Sequence, residues 1–479
     1  MVPADPPTTP GPTPAPVPTP DLIVAGDHVL TMDGARTVLV DAAVLVADGT
    51  ILGVIDRAEA ARRHPGVPTL GGPGAVVTPG FVNGHQHLTG DRLIRSSIPD
   101  DLPAGEAIFS WAVPVHAAHT ADDDELSATL ACVEAVTHGV TTTIEAGTVA
   151  HPARVAAGMA AVGMRGTVGT WGWDVEDAPF AAPAPEVLER QAAVLDAFPP
   201  GGLVTGWVTL VGHDLMSDEL VGGASALARA RGTGLTFHLS PSASDAAAYL
   251  ARTGRRPLVH LDDLGVLGPH VLVAHAVHLD DAEVDALLRS ATAVAACPWA
   301  YLRLGQGVTG AGRHAELVRR GGRVALGCDS ENAGDLVDPL RAAALFAGLA
   351  KDTRVDPTWF GAHDALELLT VRGAEAVGLG EVLGTIEPGR RADLVVHGRG
   401  PAWIPPGHDP VLQLVWASDG RAVMDVVIDG RVVVRNGRCT TVDADALRDE
   451  AVAAARRLLE RAGIVARPRW PLVRPSDHC

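Results

Sequence analysis

With 479 residues, 47% hydrophobic and 20% charged, the chain is globular and exceeds what one ordinary compact domain holds. A formal net charge of -19 argues against binding nucleic acid or an anionic membrane surface by bulk electrostatics. The five cysteines, Cys132, Cys297, Cys328, Cys439 and Cys479, form no C-x-x-C pair, which excludes a zinc ribbon and suggests no disulfide framework.

Residues 1–20 are rich in Pro, Thr and Ala, a composition that favours extended chain and has little to pack, so a disordered arm is expected. No basic start leads into an apolar run, and no apolar run reaches the roughly 18 residues of a membrane span. The expectation is therefore a cytoplasmic protein without a signal peptide. From Asp21 to Pro79 short β-type runs (DLIVAG, HVLTM, AAVLVADG, ILGVID) are separated by Gly and Asp turns.

From residue 80 to 383 the pattern changes. Short strands such as TTTIEAG, GTVGTWG, LVTGWVTL, GLTFHLS, HVLVAHAV, TAVAACP and RVALGCDS alternate with Ala-rich helical stretches. Such alternation over 300 residues predicts an α/β protein with a parallel sheet, and a (β/α)8 TIM barrel is the commonest closure at this size. A doubly wound open sheet has the same local pattern, but no G-x-G-x-x-G opens the first helix. The β-type pattern returns in ADLVVHG and AVMDVVIDGRVVVRNG. Residues 21–79 and 384–442 together are read as one small composite β-sandwich domain flanking the barrel. A helix from Asp443 to Ala462 and a tail to residue 479 close the chain.

The chemistry concentrates where strands end. His85 and His87 stand two apart at the end of a β-run, so both imidazoles point to one side and can converge on an ion. H-x-H alone is a weak signal, and a pair of surface histidines explains it as well. His238 ends GLTFHLS, His275 ends HVLVAH, and Asp329 ends RVALGCD. In a barrel those ends open onto one face, where active sites sit. A satisfied core histidine explains any one of these residues, but not all of them at equivalent strand ends.

HQH after PGFVNG, then AHAVHLDDAEV, ACPWAYLRLGQG, ALGCDS and VLGTIEPGRRADLVV, in that order, resemble the amidohydrolase superfamily. The likeness is to its deaminase and chlorohydrolase branch, with methylthioadenosine/S-adenosylhomocysteine deaminases, 8-oxoguanine deaminase and triazine hydrolases, and it spans Asp21 to Gly437. The resemblance implies that His85, His87, His238 and Asp329 hold one divalent metal, zinc or iron, with a water. It implies that Asp329 handles that water's proton and that His275 hydrogen-bonds the nucleophile or polarises the substrate. Three imidazoles and a carboxylate suit zinc, which provides hydroxide near neutral pH. Binuclear relatives bridge two ions through a carboxylated lysine on the fourth strand. That strand, LVTGWVTL, has none, and the only lysine is Lys351, so one ion is expected.

Other family-like positions are looser. His213, before MSDEL, matches a substrate-contacting histidine, while Ala300 and Tyr301 replace the branch's usual serine and asparagine. Trp111, Trp171, Trp173 and Trp299 are candidates to stack a flat substrate, Trp111 and Trp299 foremost, although core packing is tryptophan's commoner fate. The main departure is Pro241. Aminohydrolases of this branch carry H-x-x-E on the fifth strand, and that glutamate protonates the leaving nitrogen; here the run is His238-Leu239-Ser240-Pro241. Asp245 and Glu331 are alternative acids, each with the bland reading of a helix-terminal or solvated carboxylate.

The expected function is hydrolysis of a non-peptide carbon–nitrogen bond in a small cyclic or heteroaromatic substrate, foremost deamination. Two alternatives stand beside it: displacement of halide or alkylamine from such a ring, and a non-catalytic ligand-binding homologue. The partner expected is a small molecule, and a homo-oligomer is compatible with the sequence.

Overall fold

The computed structural model describes residues 19–89, 91–175, 178–330, 333–334, 336–400, 403–405, 407–465 and 468–474. The Pro-rich segment 1–18, Glu331 and Cys479 lie outside the described residues.

Both ends of the chain build one eight-stranded sheet. Its strands are β1 (Leu22–Leu30), β2 (Val38–Ala47), β3 (Thr50–Asp56) and β4 (Thr69–Pro79) from the N-terminal part. After the barrel strands β5–β13, the chain adds β14 (Leu394–His397), β15 (Val423–Ile428), β16 (Arg431–Arg435) and β17 (Arg438–Cys439). The order is β17-β16-β15-β14-β4-β1-β2-β3, so β4 against β14 stitches the two ends together. Its pairs are antiparallel except β1–β4.

The barrel strands are β5 (Phe81–Gln86), β6 (Val140–Glu145), β7 (Arg165–Val168), β8 (Val204–Gly206), β9 (Val208–Gly212), β10 (Leu235–Leu239), β11 (Val271–His275), β12 (Ala293–Ala296) and β13 (Val324–Leu326). Parallel pairing runs β5-β6-β7-β8 and β9-β10-β11-β12-β13. Only Trp207 separates β8 from β9, and the two act as one stave, β8 paired with β7 and β9 with β10. The ring closes where the backbone N–H groups of Cys328 and Asp329 donate to the His85 carbonyl at 3.2 and 3.0 Å. A parallel bridge joins Gln86 to Asp329 at the same place. This closure makes the sheet a TIM barrel rather than an open doubly wound one.

Strands β10 to β13 are fully buried and, apart from Thr236, His238 and His275, consist of Val, Leu, Ala and Phe, the composition expected of a parallel sheet covered on its outer face. Helices such as Asp218–Arg231, Asp281–Ser290 and Pro339–Arg354 cover that outside, and Leu220, Val284 and Leu340 pack into the same core as Phe237 and Val273. A last helix, Ala444–Ala462, begins at Asp443, whose carboxylate accepts from the backbone N–H groups of Asp445 and Ala446, and ends at Gly463 with φ +67°. Such a cap stabilises a helix by about 1 kcal/mol. Among the described residues no helix is long and apolar enough to cross a membrane.

Candidate active site

The C-terminal ends of β5, β10 and β11, and the third residue after β13, bring His85, His87, His238, His275 and Asp329 together. The nearest ligand-type atoms of His85, His238 and His275 all lie within 4.8 Å of one another, and so do those of His85, His87 and Asp329. Asp329 Oδ1 stands 3.6 Å from His85 Nε2 and 3.5 Å from His87 Nε2. These are too long for good hydrogen bonds. They suit ligands of a shared tetrahedral ion, which at about 2.0–2.2 Å from the metal stand about 3.4 Å apart.

The hydrogen bonds around the rings define the donor set. His238 Nδ1 donates to the Val211 carbonyl at 2.7 Å, which leaves Nε2 as a lone pair. That Nε2 faces His87 Nε2 at 3.2 Å, and His87 Nδ1 lies 2.8 Å from the Thr148 hydroxyl. With Thr148 taking the Nδ1 hydrogen, two lone pairs confront each other, an arrangement that a cation relieves. Among the described residues, both ring nitrogens of His85 and Nδ1 of His275 are buried without a partner. Desolvation is the main reason that His85, His87 and His275 are held well below the usual imidazole pKa, and His238 at about 4. Neutral imidazoles are the form that binds metal.

The backbone is bent to reach this geometry. His213, Ser240, His275, Ala276 and Asp329 have φ of 54°, 51°, 76°, 49° and 60°, left-handed values that ordinary side chains rarely adopt. Gly212, φ +85°, precedes His213, and a Cβ there would meet the His238 carbonyl at 2.1 Å. The chain therefore passes tightly behind His238 only because residue 212 has no side chain. The His275 carbonyl is held by Tyr301 Oη at 3.2 Å and His314 Nε2 at 2.6 Å. Tyr301, in the place of a usual pocket asparagine, thus braces the backbone of a site residue.

A cavity of about 350 Å3 opens onto His87, His238, His275 and Asp329, while His85 lies behind it. His213 lines it, stacked on His238 with ring centroids 5.7 Å apart. Its Nδ1 donates to Asp245 Oδ2 at 2.9 Å, and the same oxygen accepts from the Ser240 backbone N–H at 2.7 Å. Asp245 is therefore engaged in orienting His213 rather than free. Pro241 lines the cavity, while Glu331 lies outside the described residues. Trp111 and Trp299 do not line it. Trp111 packs with Leu93, Val115 and Leu458, and Trp299 lies under the Arg341 guanidinium at 4.9 Å. The tryptophans on the wall are Trp171 and Trp173, 5.3 Å apart.

Sequence reasoning passed over His116, which also lines the cavity, edge-on to Trp171. Burial holds it at about 3, so it is uncharged at neutral pH. It sits on the short helix Val113–Ala118 and not at a strand end; the signal available was its helical spacing to His119, whose Nδ1 bonds the buried Asp124 at 2.7 Å.

The amidohydrolase family profile matches residues 76–433. A 5-methylthioadenosine/S-adenosylhomocysteine deaminase of Syntrophobacter fumaroxidans is 29% identical over 438 residues, covering 91% of this chain and 98% of the relative. One from Haloarcula marismortui is 31% identical over 452 residues, covering 92% and 99%. The solved structure of an adenosine deaminase from Xanthomonas campestris with bound zinc superposes with a TM-score of 0.86 at 28% identity, covering 94% of this chain and all of that one.

Proposed function

The chain belongs to the amidohydrolase family and hydrolyses carbon–nitrogen bonds other than peptide bonds, and from that premise we propose that it deaminates a small heteroaromatic ring amine with one divalent ion, zinc foremost. The observation that carries the reading is the convergence of His85, His87, His238 and Asp329 at the strand ends, with His87 Nε2 and His238 Nε2 only 3.2 Å apart. Their donor types suit a single ion, and so do the spacings of Asp329 from His85 and His87 and of His87 from His238. When bound, a divalent ion supplies the Lewis acidity that makes water a nucleophile near neutral pH. The fourth stave, β8 with β9, carries no lysine to bridge a second ion.

The protein's own groups do the remaining work. The Asp329 carboxylate, its Oδ1 accepting from the Ser330 backbone N–H at 2.8 Å, takes the proton of the attacking water and returns it toward the departing nitrogen. His275, neutral and buried beside Asp329, is the second proton carrier, because Pro241 offers no acid at the position where a glutamate would stand. His213, fixed by Asp245, contacts the ring.

A second reading follows from Pro241 itself. Chloride leaves without protonation, so loss of that acid would impair halide displacement least. Both readings meet one experiment: ammonia and halide release screened over aminopurines, pterins, pyrimidines and amino- and halotriazines. Ammonia release is the expected result. Halide release alone replaces the deaminase reading, and binding without any turnover replaces both with a ligand-binding role.

A further inference from the structure

Beyond its histidines and a resident metal, the cavity offers a substrate no fixed cation. Among the described residues its lining contains neither lysine nor arginine. The positions outside the described residues that interrupt the barrel's loops are Gly90, Glu176, Asp177, Glu331, Asn332 and Asp335, so the sequence supplies none there either. Of two guanidiniums on flanking helices, Arg252 bonds Asp214 at 2.9 Å and Asp218 at 3.1 Å, while Arg190 donates Nη1 to the Phe180 carbonyl at 2.9 Å and does not line the cavity, its Nε and Nη2 being buried without a partner among the described residues. The chain's single lysine, Lys351, stands over the Trp416 ring, 5.3 Å from its centroid.

What the lining does contain points the same way. Asp214, Asp245 and Asp329 place carboxylates around the cavity, and Ile108, Phe109, Trp171 and Trp173 give it apolar wall. His116 and Gln306, the polar groups on the lining apart from the clustered histidines, carboxylates and hydroxyls, are uncharged. A carboxylate or phosphate entering here would lose its hydration, meet carboxylates, and find no fixed cation to offset that loss. A divalent ion held by His85, His87, His238 and Asp329 would supply its charge at the reacting end of a substrate, not to a substituent at the other end.

We propose that this site selects ring amines bearing no anionic substituent, with an uncharged, largely apolar group seated against the Trp171–Trp173 wall. The inference rests on the deaminase reading only for the reacting end; the charge selectivity is a property of the cavity.

The test uses zinc-loaded protein and two matched pairs. One is methylthioadenosine and its S-carboxymethyl counterpart; the other is an ethylamino-substituted aminotriazine and its carboxyethyl counterpart. Binding is read by calorimetry and turnover by ammonia release. The neutral member of a pair should show kcat/KM at least about 100-fold above its anionic partner. Phe109, half-exposed on the rim, offers a gain-of-function check. Phe109→Arg should narrow that ratio about tenfold, mainly through KM for the anionic member. Equal use of both members, preference for the anion, binding of neither member of either pair, or an unchanged ratio in Phe109→Arg overturns the proposal. Tighter binding of the neutral members without ammonia supports the selectivity while sinking the deaminase reading.

Discussion

Left-handed backbone occurs in two regions of this molecule for opposite reasons. In the composite sheet it makes hairpins: Asp48-Gly49 joins β2 to β3, Asp429-Gly430 joins β15 to β16, and Asn436-Gly437 joins β16 to β17, with φ of 49° and 73°, 54° and 77°, and 50° and 70°. These are the residues a two-residue type I′ turn wants, and local chemistry alone specifies them. At the barrel mouth the same conformation falls on His213, Ser240, His275, Ala276 and Asp329. Each costs about 1–2 kcal/mol there, because a Cβ crowds the following carbonyl. Tertiary bonds hold them: the His213 N–H to the His238 carbonyl at 2.7 Å, the Ala276 N–H to the Leu239 carbonyl at 2.9 Å, and Tyr301 and His314 on the His275 carbonyl. One region obeys its sequence locally; the other is bent against it, and the bending gathers the imidazoles.

The sharpest way to break that contrast is to remove the gathered groups. His85→Ala, His87→Ala, His238→Ala or Asp329→Ala should each lower metal content and cut kcat by about 10³-fold or more, while circular dichroism shows an intact barrel. His275→Asn at matched metal occupancy should lose about 10²–10⁴-fold in kcat. Asp245→Asn, which loosens His213 without touching the proposed metal ligands, should lose less than about tenfold. The reverse ranking would mean that the acid has moved to Asp245.

A smaller effect is expected from Glu145, at the mouth end of β6. Burial raises its pKa to about 8, and its Oε2 accepts from the Gly147 N–H at 2.6 Å. A carboxyl whose folded pKa lies above its unfolded value stabilises fully below the unfolded pKa, and that stability is lost as pH rises through the folded one. The wild type should therefore lose a few kcal/mol between about pH 4.5 and 8 from this group. Glu145→Gln should flatten that slope in thermal unfolding and be the more stable form at pH 8. The smallest effect belongs to the hairpins. Asn436→Ala, at φ 50°, should cost about 1 kcal/mol of stability and leave kcat unchanged.

The strand-end histidines were legible because each closes an apolar run, and alternation with helices told which ends share a face. The cavity wall was not. Trp111 and Trp299 were expected there by residue type, yet indole apolarity carries no direction, and both pack elsewhere while Trp171 and Trp173 turn inward. His116 escaped because it stands on a helix whose neighbours gave no strand pattern. Strands β8 and β9 read as the single run LVTGWVTL, since the break at Trp207 leaves the apolar pattern intact. Nor did sequence reveal the tie between Asp245 and His213, which depends on the first turn of helix Ala243–Thr253 meeting the left-handed residue after β9.

The central claim is that the barrel mouth is a single-ion hydrolytic centre. Its most direct test is to measure metal per chain by inductively coupled plasma mass spectrometry alongside turnover on one responsive ring amine, before chelation, after it, and after zinc is restored. The account predicts one equivalent, with activity rising and falling in proportion to it. Full turnover from metal-free protein would contradict it, and two equivalents required for activity would contradict the single-ion assignment.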